Sequence, residues 1–458
     1  MNTMTLTARL SALAAAILLA GQVPLAAQLP VPEDVRASVR ARVDQGATVG
    51  VVIGVVDAAG TRYYSYGSTA MQGGRPVDEH SVYEIGSITK VFTALALAEM
   101  VRRGEVALDD PVQRFLPEGA VMPGQPDKPI TLRLLSAQRS GLPRMPTNFA
   151  PRDSTNPYAD YTPELMLAFL GGYTLTRDPG ARYEYSNLGV GLLGYALSRR
   201  ANMTYEQLVT RLIFSPLGMR ETMITLTPDA RTRLAMGYSA GRPATNWDLD
   251  ALAGAGAIRS TAADMTRFLA AAMGLTRTTL DSAFATTFVV QGDAGSPAMD
   301  IGLGWHIRKR AGLNIVWHNG GTGGYRTWAG FDPSRRVGVV VLTNSNRGAD
   351  DIGFHMLDTT LAMQVQRTAI AISRDSLDQY VGRYPLAPTF VLTLTREGDA
   401  LMAQATGQPA FRLWPSAPDE FFLREVDAQV SFVRDSGGRV ASLVLHQNGA
   451  NAPAPRSP

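Results

Sequence analysis

The chain has 458 residues, 45% hydrophobic and 18% charged, with no cysteine and a formal net charge of +3. That length allows two or three domains at roughly 100–200 residues each, and the hydrophobic content excludes a wholly disordered chain. The lack of cysteine excludes disulfides, thiolate metal sites, iron–sulfur clusters and a thiol nucleophile. The small basic excess comes without a run of like charges, so nothing points to nucleic acid or to a polybasic membrane anchor.

Taken in chain order, the first element is an export segment. Arg9 precedes an apolar run from Leu10 to Ala20, and the small residues Ala26 and Ala27 follow. The run is too short to span a bilayer, which needs about 20 residues. It reads as a secretory signal over residues 1–27, cleaved after Ala27, which implies a periplasmic or secreted protein. Pro32 to Gln45 predicts a helix with Glu33 and Asp34 in its first turn, where the helix dipole favours acids. Thr48 to Val56 predicts a buried strand by its β-branched run, and Thr61 to Tyr66 a strand pairing back. Ile88 to Arg103 predicts a strong helix ended by Gly104. From Asp109 to Met273 the pattern is helix and loop. Strands return at Gly302–Arg308, Asn314–Trp317, Tyr325–Phe331 and Val337–Leu342, and a helix is predicted from Asp350 to Gln366.

Two early strands, a helical middle and several late strands predict one α/β (α+β) domain over residues 28–370. Its antiparallel sheet is assembled from both ends of the chain and flanked by helices, with a helical subdomain. Beyond Asp375 short alternating segments follow one another: Phe390–Arg396, Ala400–Ala405, Phe411–Trp414, Glu420–Arg424, Gln429–Arg434 and Val440–His446. They predict a small all-β barrel or sandwich over 376–448, with 449–458 a flexible tail.

Only three of the 43 basic residues are lysine: Lys90, Lys128 and Lys309. Lysine can be neutralised by burial and act as a base, whereas arginine stays charged. Three serines compete as nucleophile. Ser239 lies in Gly237-Tyr238-Ser239-Ala240-Gly241, but the strand before and the helix after that a nucleophile elbow requires are missing. Ser140 precedes Gly141-Leu142-Pro143 and reads as a turn. Ser87 opens the strong helix, and Lys90 stands three residues on, on the same helix face. Backbone N–H groups at a helix start can also hold an oxyanion. Ser-x-x-Lys alone reads first as a capped helix, since serine is a preferred N-cap. The five histidines (His80, His306, His318, His355, His446) show no metal-ligand spacing, so neither a metal nor another cofactor is expected. Trp317 and Trp328 can line a cleft or pack in the core.

Three further pieces follow Ser87 in chain order: Ser140-Gly141-Leu142-Pro143, Tyr185-Ser186-Asn187 at the start of a helix, and His318-Asn319-Gly320-Gly321 at the end of a strand. This set resembles the serine β-lactamase and penicillin-binding-protein superfamily, on the class C β-lactamase and DD-peptidase side, over Val31 to Arg367. The tail resembles the lipocalin-like β-domains of some members. The resemblance implies that Ser87 is the acylated nucleophile, Lys90 its proton partner and Tyr185 a proton carrier. It further implies that Asn187 holds substrate and lysine, and that Ser87 and Gly321 N–H groups form the oxyanion hole. His318, Asn319 and Gly320 complete the substrate-binding strand. Either Lys90 or Tyr185 can be the base. Class C β-lactamases carry Lys-Thr-Gly where this chain has His318-Asn319-Gly320. Histidine there resembles DD-peptidases, D-aminopeptidases and esterases. The expected partner is a small-molecule or peptide substrate: a D-residue peptide, an ester or a β-lactam. The alternatives are a true β-lactamase or a non-catalytic penicillin-binding sensor. His318 is expected to titrate near 6.5 and to attract carboxylates more strongly toward about pH 6. Arg326 is the substitute anion contact.

Overall fold

The computed structural model describes residues 31–310, 312–364, 367, 369–423, 428–447 and 450–457. The predicted export segment lies outside them. The first sheet has eight antiparallel strands. In chain order they are β1 (Gly50–Asp57), β2 (Gly60–Gly67), β3 (Gly292–Ser296), β4 (Met299–Ile301), β5 (His306–Arg310), β6 (Leu313–Gly321), β7 (Arg326–Asp332) and β8 (Val337–Thr343). In space the order is β2-β1-β8-β7-β6-β5-β4-β3, so strands from both ends of the domain meet at the β1–β8 pair.

The apolar run of β1 is explained by cover on both faces. Alternate residues of a strand point to opposite sides. Val52 and Val56 of β1, with Val340 and Leu342 of β8, join the large core beneath α4 (Ala262–Ala272), whose Met265 and Leu269 belong to it. Val51, Ile53 and Val55, with Val339 and Val341, face the other way. There they meet Val35 and Val39 of α1 (Glu33–Asp44) and Ile352 of α5 (Asp350–Leu357). The central helix α2 (Thr89–Arg102) is buried on every side from Thr89 to Met100, as a helix without a polar face must be. Helix α3 (Asn187–Ala201) is capped by Ser186, whose hydroxyl accepts the Gly189 N–H at 2.8 Å. Such a cap contributes about 1 kcal/mol.

The second sheet also has eight strands, β9 (Gly382–Ala387) to β16 (Ala450–Pro455), each hydrogen-bonded to the next in sequence. Ser457 N–H donates to the Arg383 carbonyl at 2.7 Å, bringing the last strand round to the first. The result is a nearly closed barrel. Its core holds Leu377, Tyr384, Leu394, Phe421, Val430 and Leu443.

Two expectations are corrected. The helix beginning at Asp350 stops at Leu357. The Asp358 carboxylate accepts both the Thr360 N–H and hydroxyl, at 3.1 and 2.6 Å, a local turn that competes with the helix. The segment predicted as a flexible tail supplies the last barrel strand, with Ala454 fully buried. Pro453 and Pro455 suggested a tail. Proline is compatible with a strand that closes a sheet edge, where its missing N–H is not needed. Among the described residues, no helix is long and apolar enough to cross a membrane.

Candidate active site

Gly86–Ile88 forms one 3₁₀ turn that runs directly into α2. Gly86 has φ +51°, and a Cβ there would lie 2.8 Å from the Gly321 N. The turn is therefore pressed against the end of β6 and needs glycine. Ser87 is half-buried, while Gly86 and Ile88 on either side are buried. Lys90, one helical turn on, is 1% exposed. Its Nζ lies 3.0 Å from Ser87 Oγ and donates to the Ala255 carbonyl at 2.7 Å. Burial pushes the Lys90 pKa well below the ordinary lysine value, and the Arg144 charge adds to the effect. Burial thus favours the amine over the ammonium, the form able to take a proton. Lys128 and Lys309 are instead surface lysines, paired with Asp178 and Asp300.

Tyr185 closes the other side. Lys90 Nζ lies 4.8 Å and Arg144 Cζ 4.9 Å from its ring centroid. Burial pushes the phenol up to about 12, opposed by its hydrogen bond to Ser87 and by the Arg144 charge. Asn187 Nδ2 donates to Met145 Sδ at 3.7 Å, and its buried Oδ1 has no partner among the described residues. Lys90 donates elsewhere, so the amide–lysine contact implied by the resemblance is not made. A buried orphan carbonyl on the wall of a cleft keeps its capacity to accept a hydrogen bond.

On the strand side, a Cβ on Gly320 would lie 1.9 Å from the Ile85 carbonyl oxygen. Thr327 Oγ1 donates to that same oxygen at 3.0 Å, so β6 and β7 lock onto the turn that carries Ser87. Asn319 donates to Asp350 at 2.9 Å, and Arg326 forms an ion pair with the same carboxylate. Both side chains therefore brace the strand end against α5.

His318 is 1% exposed. Its Nδ1–H donates to the Asn319 carbonyl at 2.6 Å, which leaves Nε2 as an acceptor in the neutral ring. Burial, then His306, then Lys90, push its pKa well below the ordinary value. The expectation that it titrates near 6.5 is overturned: His318 stays neutral through the range around pH 6–8. His306 shares in this. Its ring lies 5.1 Å from that of His318, and its Nε2 shares a hydrogen bond with the Tyr183 hydroxyl at 2.9 Å. Burial, with a contribution from Lys90, lowers it to about 4.

The cleft over Ser87 opens to solvent and is lined by Ser87, Asn187, Gly321, Thr322, Tyr158 and Trp247. Tyr158, Trp247, His306 and Arg144 escaped the sequence reading. Arg144 directly follows the Ser140–Pro143 motif, the one local signal among them. The others are brought in by loops and strand register. Of the tryptophans singled out earlier, Trp328 is core, and Trp317 stacks on His306 and packs against Phe354. Ser140 accepts the Leu142 N–H at 3.3 Å in its turn. Ser239 sits in a two-residue bridge and accepts from Asn346 at 2.9 Å, away from any helix start. Among the described residues, no group of three or more His, Asp or Glu is placed to hold a metal ion.

An antiparallel sheet backed by helices, with Ser-x-x-Lys at the start of the buried central helix and a Tyr-x-Asn turn facing it, defines a class of serine hydrolases. The chain belongs to the beta-lactamase family, whose model matches residues 35–356. A second model, described as a domain of unknown function (DUF3471), matches residues 366–453. Penicillin-binding protein 4* of Bacillus subtilis (strain 168) is 28% identical over 428 residues, spanning 86% of this chain and 92% of that protein. The D-alanyl-D-alanine-carboxypeptidase/endopeptidase AmpH of Escherichia coli (strain K12) is 32% identical over 315 residues, spanning 66% of this chain and 80% of that protein. Among solved structures, a beta-lactamase/D-alanine carboxypeptidase from Yersinia pestis complexed with citrate superposes with TM-score 0.61 at 26% identity, covering 72% of this chain and 96% of that one.

Proposed function

We propose that this protein is an acyl-enzyme hydrolase that cleaves an ester or a D-residue peptide through Ser87. The observation that carries the reading is the buried Lys90 amine 3.0 Å from the Ser87 hydroxyl. Ser87 Oγ attacks the substrate carbonyl carbon while its proton passes to Lys90 or Tyr185. The oxyanion is held by the Ser87 and Gly321 N–H groups, whose backbones meet at Gly86. Tyr185 returns the proton to the leaving group, and water then hydrolyses the acyl-serine with the same groups acting in reverse. The Asn187 Oδ1 accepts a substrate N–H. The neutral His318 offers an acceptor where class C β-lactamases present lysine, which favours an uncharged group at that end of the substrate. This supports an ester or internal amide over a β-lactam. We further propose that residues 1–27 direct export, so that the mature chain begins at Gln28.

The test is a panel of nitrophenyl esters, D-Ala-D-Ala peptides and a chromogenic cephalosporin, with intact-mass detection of the acyl adduct. Ester or peptide turnover lost in Ser87→Ala supports the reading. Adduct formation without turnover would instead identify a penicillin-binding sensor, and efficient cephalosporin turnover a true β-lactamase.

A further inference from the structure

We propose that Arg144 is a positioning residue that keeps the Tyr185–Lys90 pair in its proton-accepting form. This inference rests on the hydrolase reading above.

The backbone of Arg144 is fixed and its side chain is available. Its carbonyl accepts the N–H groups of Asn187 and Leu188, at 3.0 and 3.3 Å, so the loop is tied to the first turn of α3. The side chain is exposed, with Cζ 4.9 Å from the Tyr185 ring centroid. Other arginines of the domain are held by carboxylates: Arg326 by Asp350, Arg259 by Glu84 and Asp248, Arg139 by Asp293 and Arg177 by Glu184. Among the described residues, Arg144 forms no such ion pair, so its charge acts on the site uncompensated.

Every other group facing Tyr185 is neutral, or charged but balanced. From α2 come Lys90, whose ammonium form burial disfavours, and the Ser87 hydroxyl. From β6 and β5 come His318 and His306, both neutral. Tyr183 flanks it on its own segment, and Tyr158 faces it from the loop before Pro163–Gly172. Arg326 of β7 is balanced by Asp350. A lone positive charge favours phenolate over phenol and amine over ammonium. Both effects raise the population of the base, whichever of the two groups takes the proton. A charge at this distance typically moves a neighbour by about 1–3 pH units, but an exposed guanidinium is screened by water, so roughly half a unit to one unit is expected.

The experiment follows the labelling of Ser87 by a fluorophosphonate, read by intact mass from about pH 5 to about pH 10, a window spanning the base. It compares full-length wild type, Arg144→Gln and Arg144→Lys. Labelling needs no turnover, so it stands apart from the substrate panel. In Arg144→Gln the acid limb should move to higher pH by roughly half a unit to one unit, and Arg144→Lys should restore it. Raising salt from about 0.01 M to about 1 M should move the wild-type limb toward that of Arg144→Gln and leave the variant in place. Superimposable limbs for wild type and Arg144→Gln would overturn the proposal, as would an Arg144→Lys limb matching Arg144→Gln. If Arg144→Gln fails to fold, the salt series on wild type decides: a salt-independent limb overturns the proposal. Absence of Ser87 labelling at every pH would overturn the hydrolase reading itself, and this role with it.

Discussion

The sheet that carries His318 runs β2-β1-β8-β7-β6-β5-β4-β3, whereas the sheet from Gly382 to Pro455 runs in chain order. Both have eight antiparallel strands. In the barrel each strand meets its sequence neighbours, and register is set by short turns. In the larger sheet β1 must find β8 across the whole helical region, at a far greater cost in loop entropy. That cost has a return. Long-range closure places the Thr327 hydroxyl on the Ile85 carbonyl, 242 residues away, and so seats Gly321 beside Ser87. The barrel has a complete apolar core, and its Asp419–Arg434 pair braces a turn. A reactive cluster arises where remote segments are forced together.

The comparison breaks if the site survives loss of its long-range members. Lys90→Arg should be nearly as damaging as Lys90→Ala, each lowering kcat by about 10²–10⁴-fold on a nitrophenyl ester, because arginine keeps the charge but cannot carry the proton. Near-normal turnover of Lys90→Arg would show that charge alone suffices. Gly320→Ala should cost nearly as much activity, since its Cβ would overlap the Ile85 carbonyl and push β6 off the nucleophile turn. Its ester kinetics, with circular dichroism as the folding control, check this.

A third prediction concerns acid. His306, lowered to about 4 in the fold, binds a proton more readily when unfolded. Its contribution is therefore intact above pH 6.5 and lost as pH falls toward 4, by roughly 3 kcal/mol. Urea unfolding of wild type and His306→Gln across that range should show the smaller loss in the variant. His318 is neutral over the same upper range. A carboxylate substrate and its methyl ester should therefore give parallel KM profiles from about pH 6 to about pH 8. Divergence of the pair would mean that His318 does gain charge there. Ser186→Ala should cost only about 1 kcal/mol of stability by loss of the α3 cap. The smallest effect should follow deletion from Arg374 onward. A barrel with its own core and local pairing can be removed as a unit. Turnover of a small ester should persist, and loss of all soluble protein would make the barrel part of the larger core.

Much of this molecule was legible without coordinates. The β-branched run of β1 announced a buried strand, and the pattern from Ile88 to Arg103 announced the strong helix α2. Alternation outlined most of the barrel, and the i, i+3 spacing of Ser87 and Lys90 placed them together. These readings succeed because they depend on neighbours within one turn or one pleat. The end of the helix at Leu357 and the strand at Ala450–Pro455 were misread, because a side-chain turn at Asp358 and an open sheet edge outweighed local pattern. Motif order named Ser87, Lys90, Tyr185 and Asn187, but not their states. That burial disfavours the charged forms of Lys90 and of His318 beside His306, and that Arg144 lies over Tyr185, were decided only by tertiary structure. Desolvation and Coulomb energy depend on what surrounds a group in space, and here the surroundings come from strands and loops far away in sequence.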